Sequence, residues 1–302
     1  MANGRSVLHV GILMLLALIW GSSYILMKRG LEGFSPMEVA CLRTLFASLV
    51  LLPLTGGRLR RIPRRDWTWV AVVGIVGSGI PSFLYPLSVQ GIGSALPGII
   101  NALTPLFTLA AGALLFGVAL TGRKLAGVAL GLAGALVLML LRSAGDVRAD
   151  VLYTGCSVLA TISYGYSTNV LKTHLTHLPA LLVTSATFAV IAVPAAVLFV
   201  VVGGLDTLRA ADASTWRALG FVAMLGIVGT AMALVLFNRL IQHTSALFAT
   251  SVTYLMPFIA LLWGAADGEE ITLVQLIGLA LILAGILLIR AGNRGPAVSR
   301  PS

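Results

Sequence analysis

Apolar residues run through this chain in long unbroken stretches, and the charges gather in the gaps between them. Barrel strands in lipid would alternate polar and apolar positions. Continuous runs of about 20 residues are instead what a helix needs to cross a hydrocarbon core of about 30 Å. The charge-free stretch from Trp67 to Gly122 is too long for one crossing and divides at Gln90-Gly91-Ile92-Gly93-Ser94. Residues 151–171, 218–238, 240–266 and 271–289 hold one crossing each, and further spans fall near 9–27, 36–55, 124–141 and 179–202. The pattern predicts an all-α integral membrane protein with ten transmembrane helices.

The chain also repeats itself. Trp20-Gly21-Ser22-Ser23-Tyr24 through Lys28 returns as Tyr164-Gly165-Tyr166-Ser167-Thr168 through Lys172. Gly74-Ile75-Val76-Gly77-Ser78 returns as Gly226-Ile227-Val228-Gly229-Thr230, and Pro105 as Pro257. Two halves of five spans follow: residues 8–141, then 150–290, with a cytoplasmic tail at 291–302. Because five is odd, the second half starts on the opposite side of the membrane from the first, so the repeats are predicted to be inverted. Secondary transporters use that architecture to expose one site to each side in turn.

Composition adds weight to the membrane reading, since 58% of the 302 residues are hydrophobic and only 10% are charged. Basic residues set the orientation. Arg5, Arg58, Arg60, Arg61, Arg64, Arg65, Arg123, Lys124, Lys172, Arg239, Arg290, Arg294 and Arg300 fall on one side, against Lys28, Arg29, Arg142, Arg148, Arg209 and Arg217 on the other. The positive-inside rule then places both termini of this multi-pass protein in the cytoplasm. The net charge of +10 is thereby a topology signal, and nucleic acid is excluded as a partner. Cys41 and Cys156 lie in separate spans and make neither a disulfide nor a metal spacing. His174 and His177 read as a solvated pair at a helix end, and no cofactor is expected. No nucleophile, phosphate loop or metal motif stands at catalytic spacing, so the sequence does not point to an enzyme.

The polar residues inside the spans are the candidates for function. Trp20, Ser23, Tyr24 and Met27 share one face of the first helix, and Tyr164, Ser167, Thr168 and Leu171 share the corresponding face of the sixth. Trp20 and Tyr164 sit a little past halfway from their membrane entries, which inversion brings toward a common midplane pocket. Arg43, with Glu38 a turn and a half earlier near the start of the second helix, is the clear intramembrane ionisable residue; it either is paired in the bundle or snorkels, holding that helix in place, or binds an anionic group directly. Pro105 and Pro257 should free the carbonyls of Asn101 and Thr253 and kink their helices, next to Tyr254. Pro81 and Pro86 should bend the third helix beside Ser82 and Tyr85. Gly127, Gly131 and Gly134 read as a close helix-packing face.

Trp-Gly-Ser-Ser-Tyr in the first helix, Leu42-Arg43, Thr104-Pro105, and Gly268-Glu269-Glu270-Ile271-Thr272 followed by Gly278 and Ala284-Gly285 resemble the EamA family of the drug/metabolite transporter superfamily, over about residues 8–290. The resemblance implies a ten-helix inverted fold around a central cavity, and export of amino acids or other metabolites. Among its members the chain looks most like bacterial inner-membrane amino-acid exporters of the aromatic type, which implies a multi-pass protein of the bacterial inner membrane. It departs from the family's Gly-Glu step in the first half, where Gly117-Val118 stands. The expected function is therefore secondary export of amino acids, aromatic and other neutral ones included, with membrane lipid as the other partner. The alternatives are export of another small metabolite or drug-like compound, and a non-carrier channel or scaffold.

Overall fold

A computed structural model describes residues 2–140 and 147–291; most of the interval between the two expected halves, and all but the first residue of the expected tail, lie outside them. The described residues form helices and turns, without strands. They are α1 (Ala2–Gly30), α2 (Pro36–Thr55), α3 (Arg64–Ile92), α4 (Ala95–Leu115), α5 (Gly122–Leu140), α6 (Val147–His174), α7 (Ala180–Val201), α8 (Ala213–His243), α9 (Phe248–Ala266) and α10 (Leu273–Ala291). A short helix, Gly204–Arg209, precedes α8. Among the described residues seven helices are long and apolar enough to cross a membrane: α1 to α4 and α7 to α9.

The helices begin and end where local chemistry dictates. Ser35 caps α2 in a reciprocal box with Glu38, ahead of Pro36 in the first turn. α3 stops at Gly93, whose φ of 76° a side chain would resist.

α6 runs through the middle of the bundle and carries small polar residues, including Thr154, Ser157, Thr161, Ser163 and Asn169, all buried. Two of them meet hydroxyls of α3, Ser157 sharing a hydrogen with Ser88 at 2.6 Å and Thr161 with Tyr85 at 3.2 Å, while Ser163 donates to Leu159 O and Asn169 to Thr108 O of α4. Rising numbers on α3 meet falling numbers on α6, so the two helices are antiparallel. α1 instead runs parallel to α9. Gly21 lies against Met256 and Ile259, Trp263 Nε1 donates to Ser22 Oγ at 2.9 Å, and Lys28 reaches Asp267.

α5 and α10 form a pair at one side. A Cβ on Gly127 would strike the carbonyl of Gly285, and one on Gly134 would strike that of Gly278. The glycine face expected from sequence therefore packs within the chain. His174 stacks on Trp69 at 3.7 Å and His177 Nε2 meets Asp66 Oδ2 at 2.8 Å, so the two histidines face different partners.

Four helices are interrupted, at corresponding places in the two halves. α3 has a π turn at Ile75–Gly79 and α8 has one at Ile227–Met232. α4 passes through a 3-10 turn at Asn101–Leu103, just before Thr104-Pro105, and α9 through another at Ser251–Tyr254, just before Met256-Pro257. The bend expected in α3 from its prolines has a π turn at its base. The matching turn in α8 has no proline within it, so proline is not what both breaks have in common.

Candidate functional site

The two 3-10 turns border one cavity. It encloses about 60 Å³ and is lined by Trp20, Ser23, Tyr24 and Met27 of α1, Arg43 of α2, Tyr85 of α3, Asn101 and Thr104 of α4, Tyr164 and Thr168 of α6, Leu234 and Phe237 of α8, and Thr250, Val252, Thr253 and Met256 of α9. The equivalent faces of α1 and α6 thus meet across it.

Rings form two walls. Tyr24, Tyr85 and Tyr164 make a row, with Tyr24 edge-on to Tyr85 at 5.6 Å and Tyr85 stacked on Tyr164 at 5.9 Å. Opposite, Trp20 meets Phe237 edge-on at 4.9 Å. The indole is fixed by the π turn of α8, because its Nε1–H donates to the carbonyl of Gly229 at 2.9 Å.

The repeated sequence segment now has a mechanical meaning. Gly21 and Gly165 let α9 and α4 approach, and Ser23 and Ser167 press on Gly229 and Gly77 of the two π turns. The aromatic residue before each glycine faces the cavity.

The hydroxyl groups are arranged in one sense. Ser23 donates to Ile19 O, Thr104 to Asn101 O, Thr168 to Tyr164 O, Thr250 to Ala246 O and Thr253 to Thr250 O, at 2.7 to 3.0 Å. With their hydrogens committed to the backbone, these oxygens have lone pairs for a ligand and no donor. This corrects one expectation: the carbonyl of Asn101, freed by Pro105, is taken by Thr104.

Arg43 is 5% exposed. Its Nη2 donates to Oγ1 of Thr230, in the π turn of α8, at 3.0 Å, and that hydroxyl donates in turn to Leu225 O just before the turn. Its Nε and Nη1 have no hydrogen-bond partner. Glu38 is not its counter-ion. The Glu38 carboxylate accepts from Ser35 N at 2.7 Å and Thr207 Oγ1 at 2.5 Å, at the far end of the first turn of α2.

Three expected residues lie off this cavity. Ser167 lines a small adjoining void that shares Tyr164, Thr168, Leu234 and Phe237 with it. Ser82 is buried in α3 outside the lining, and Tyr254 packs against a separate apolar cluster built on α4, α5 and α10. Sequence reasoning does not point to Leu234, Phe237, Thr250, Val252 or Met256 of the lining, nor to Thr230 beside it. Apolar residues in an apolar helix carry no signal, although Thr230 closes the repeated Gly-Ile-Val-Gly segment.

Beyond the cavity, two corners end α1 and α6. At the first, Lys28 Nζ pairs with Asp267 at 2.6 Å and Glu269 at 2.7 Å, and Arg29 pairs with Asp267. Glu269 also accepts from Ser94 N, Ser94 Oγ and Ala95 N, at the start of α4. Burial opposes ionisation of Glu269, but these donors outweigh it and hold the carboxyl below its ordinary range. At the second corner Lys172 Nζ donates to the carbonyls of Ile241 and Thr244, at 2.8 and 2.6 Å. Val118 stands where Glu269 does. Each follows a glycine of positive φ, Gly117 at 69° and Gly268 at 80°, and each returns its N–H to a glycine carbonyl, Gly112 or Gly264, at 2.9 Å.

Comparison with known proteins agrees with this architecture. The EamA-like transporter family matches the chain twice, at residues 8–140 and 153–291. The uncharacterized inner membrane transporter YedA of Escherichia coli is 27% identical over 289 residues, covering 94% of this chain and 90% of that protein. A protein of Streptantibioticus cattleyicolor named as a probable terminal-alkyne amino-acid exporter is 25% identical, covering 94% and 93%. A solved crystal structure superposes with a TM-score of 0.64 at 20% identity, over 95% of this chain and 97% of that one, and shares its fold. The double match covers most of the chain, and the protein belongs to the EamA-like transporter family.

Proposed function

We propose that this protein exports amino acids, aromatic and other neutral ones included, across the bacterial inner membrane by alternating access. In this reading ten spans form two inverted five-helix repeats, 8–141 and 150–290, with both termini cytoplasmic and the cavity between the repeats as the transport site. The observation that carries it is the cavity itself, where rings, acceptor hydroxyls and one arginine from α1, α2, α3, α4, α6, α8 and α9 converge. The amino-acid relative in Streptantibioticus cattleyicolor supports the substrate class. The parallel course of α1 and α9 and the antiparallel course of α3 and α6 fit spans that alternate in direction, the parity on which inversion rests.

The cavity's size fits a carrier between openings. About 60 Å³ has room for roughly four to six waters, against the roughly 300–1,000 Å³ of a small-molecule pocket. An amino acid enters only when the helices part at one end, and the π and 3-10 turns are where these helices bend.

Counterflow in proteoliposomes with phenylalanine, tryptophan and leucine tests the reading. Flux should saturate and be stimulated by substrate on the opposite side. Trp20→Ala and Tyr164→Ala should each lower it about tenfold, the equivalent of about 1.4 kcal/mol. Flux that rises linearly with concentration, or that ignores both substitutions, would reject the carrier.

A further inference from the structure

We propose that Arg43 is the anion anchor of the cavity, and that the carboxylate of the transported molecule is the counter-ion this guanidinium lacks. The proposal rests on the cavity being the transport site, and it narrows the substrate class to apolar carboxylates, with the amine an accessory.

The electrostatics lead there directly. Arg43 is nine-tenths buried, lines the cavity and leaves two nitrogens unpartnered. A buried cation with no counter-ion costs several kcal/mol. Arginine cannot shed its proton to escape that cost. Among the described residues the buried and half-buried carboxylates are engaged elsewhere. Glu38 is held by Ser35 and Thr207, Asp66 by His177, and Asp267 and Glu269 by Lys28. No carboxylate lines the cavity. Thr230 offers Arg43 one neutral oxygen, which orients the guanidinium without neutralising it.

The rest of the wall completes the selection. Its Ser and Thr hydrogens are committed to the backbone, so for a carboxylate those hydroxyls offer lone pairs where donors are needed, which leaves the charged donor to Arg43. The same lone pairs can receive an ammonium. With no acid in the wall, a ligand whose only charge is an ammonium meets Arg43 as a like charge. The tyrosine row and the Trp20–Phe237 pair accept the apolar remainder.

Binding to the full-length protein in lipid nanodiscs, measured by calorimetry, tests this with three probes of one shape: phenylalanine, 3-phenylpropionate and phenethylamine. The two carboxylates should bind within about tenfold of each other and phenethylamine at least about 100-fold more weakly, in line with the strength of hydrogen bonds to charged groups. Arg43→Gln should weaken both carboxylates by about 100-fold. Arg43→Met should melt at or above the wild-type temperature while losing binding, because it removes an uncompensated charge; a purely structural arginine would give a lower midpoint.

Equal binding of phenethylamine, unchanged carboxylate affinity in Arg43→Gln, absence of binding by both carboxylates, or a lowered midpoint in Arg43→Met with binding retained would each overturn the anchor. Failure of the two ideas is distinguishable. Arg43-dependent binding of 3-phenylpropionate without binding or export of any amino acid rejects amino-acid export and leaves the anchor standing. Phenylalanine export that is the same in wild type and Arg43→Gln does the reverse.

Discussion

The corners at the ends of α1 and α6 are built alike and closed differently. In both, a lysine eight residues after the aromatic residue of the repeated segment reaches toward the next helical hairpin, and a glycine of positive φ turns the chain beside it. At the Lys28 corner that glycine is followed by Glu269, which ties α1 to the start of α4 with two side chains and two backbone N–H groups. At the Lys172 corner it is followed by Val118, and the lysine turns to two carbonyls at the end of α8. Two differences about the shared glycine, Asp267 and Glu269 against Phe116 and Val118, therefore make one end an ionic clasp and the other a neutral one. Under the alternating access proposed above, the two ends then present unequal barriers, and the Lys28 end is the costlier to separate.

The comparison can be broken most severely at Glu269. Glu269→Ala strips Lys28 of one carboxylate and leaves the start of α4 uncapped. The expected loss is about 3 kcal/mol, as for losing hydrogen bonds to a charged group and leaving its backbone donors unpaired. Thermal unfolding in detergent should show a lowered midpoint, and a cysteine at Ser94 should react faster with a polar thiol reagent.

Lys28→Met and Lys172→Met come next and should differ from each other. The first leaves two carboxylates short of a cation, while the second abandons two carbonyls, a loss of about 1–3 kcal/mol. Equal destabilisation would show that the corners are energetically alike after all.

Val118→Glu sharpens the contrast by supplying the missing acid. Val118 and Asn169 both press on Gly112, one turn from Lys172. The new carboxylate should capture Lys172 and slow counterflow by about tenfold, equivalent to about 1.4 kcal/mol, without lowering the unfolding midpoint.

Acid gives a subtler test. The carboxyl of Glu269 lies below its ordinary value of 4.5 in the folded protein. It therefore stabilises the fold fully above pH 4.5, and the contribution fades as pH falls through the lower folded value. The unfolding midpoint of the wild type should drop in that acid window more than that of Glu269→Gln.

The smallest effect should come from the turns themselves. Gly117→Ala and Gly268→Ala each force a Cβ into the left-handed region, at about 1–2 kcal/mol, and should cost the same at both corners.

Much of this arrangement is legible in the chain. Apolar runs locate the helices because lipid leaves a spanning backbone no other way to satisfy its hydrogen bonds. The spacing of Trp20, Ser23 and Tyr24 and its echo at Tyr164 and Thr168 point to the cavity, because helical period fixes which residues share a face. What stays hidden depends on three-dimensional partners. Glu38 looks like the mate of Arg43 because it is near in sequence, yet it belongs to the helix cap and to Thr207. Ser82 and Tyr254 look equivalent to lining residues but turn away, since α3 and α9 are interrupted nearby. Those interruptions are invisible to hydropathy, because a π turn and an α turn bury the same residue types.

The π turns have a consequence for phase. An α-helix advances about 100° per residue, so one extra residue in a turn rotates everything beyond it by more than a quarter circle. Deleting a single residue from 75–79 or from 227–232 would leave a straighter helix of nearly identical hydropathy and length. It would also swing Tyr85, or Leu234 and Phe237, to new neighbours. The site is thus written partly in the reading frame of two helices, and an insertion or deletion there changes which molecule the cavity sees before any of its side chains is altered.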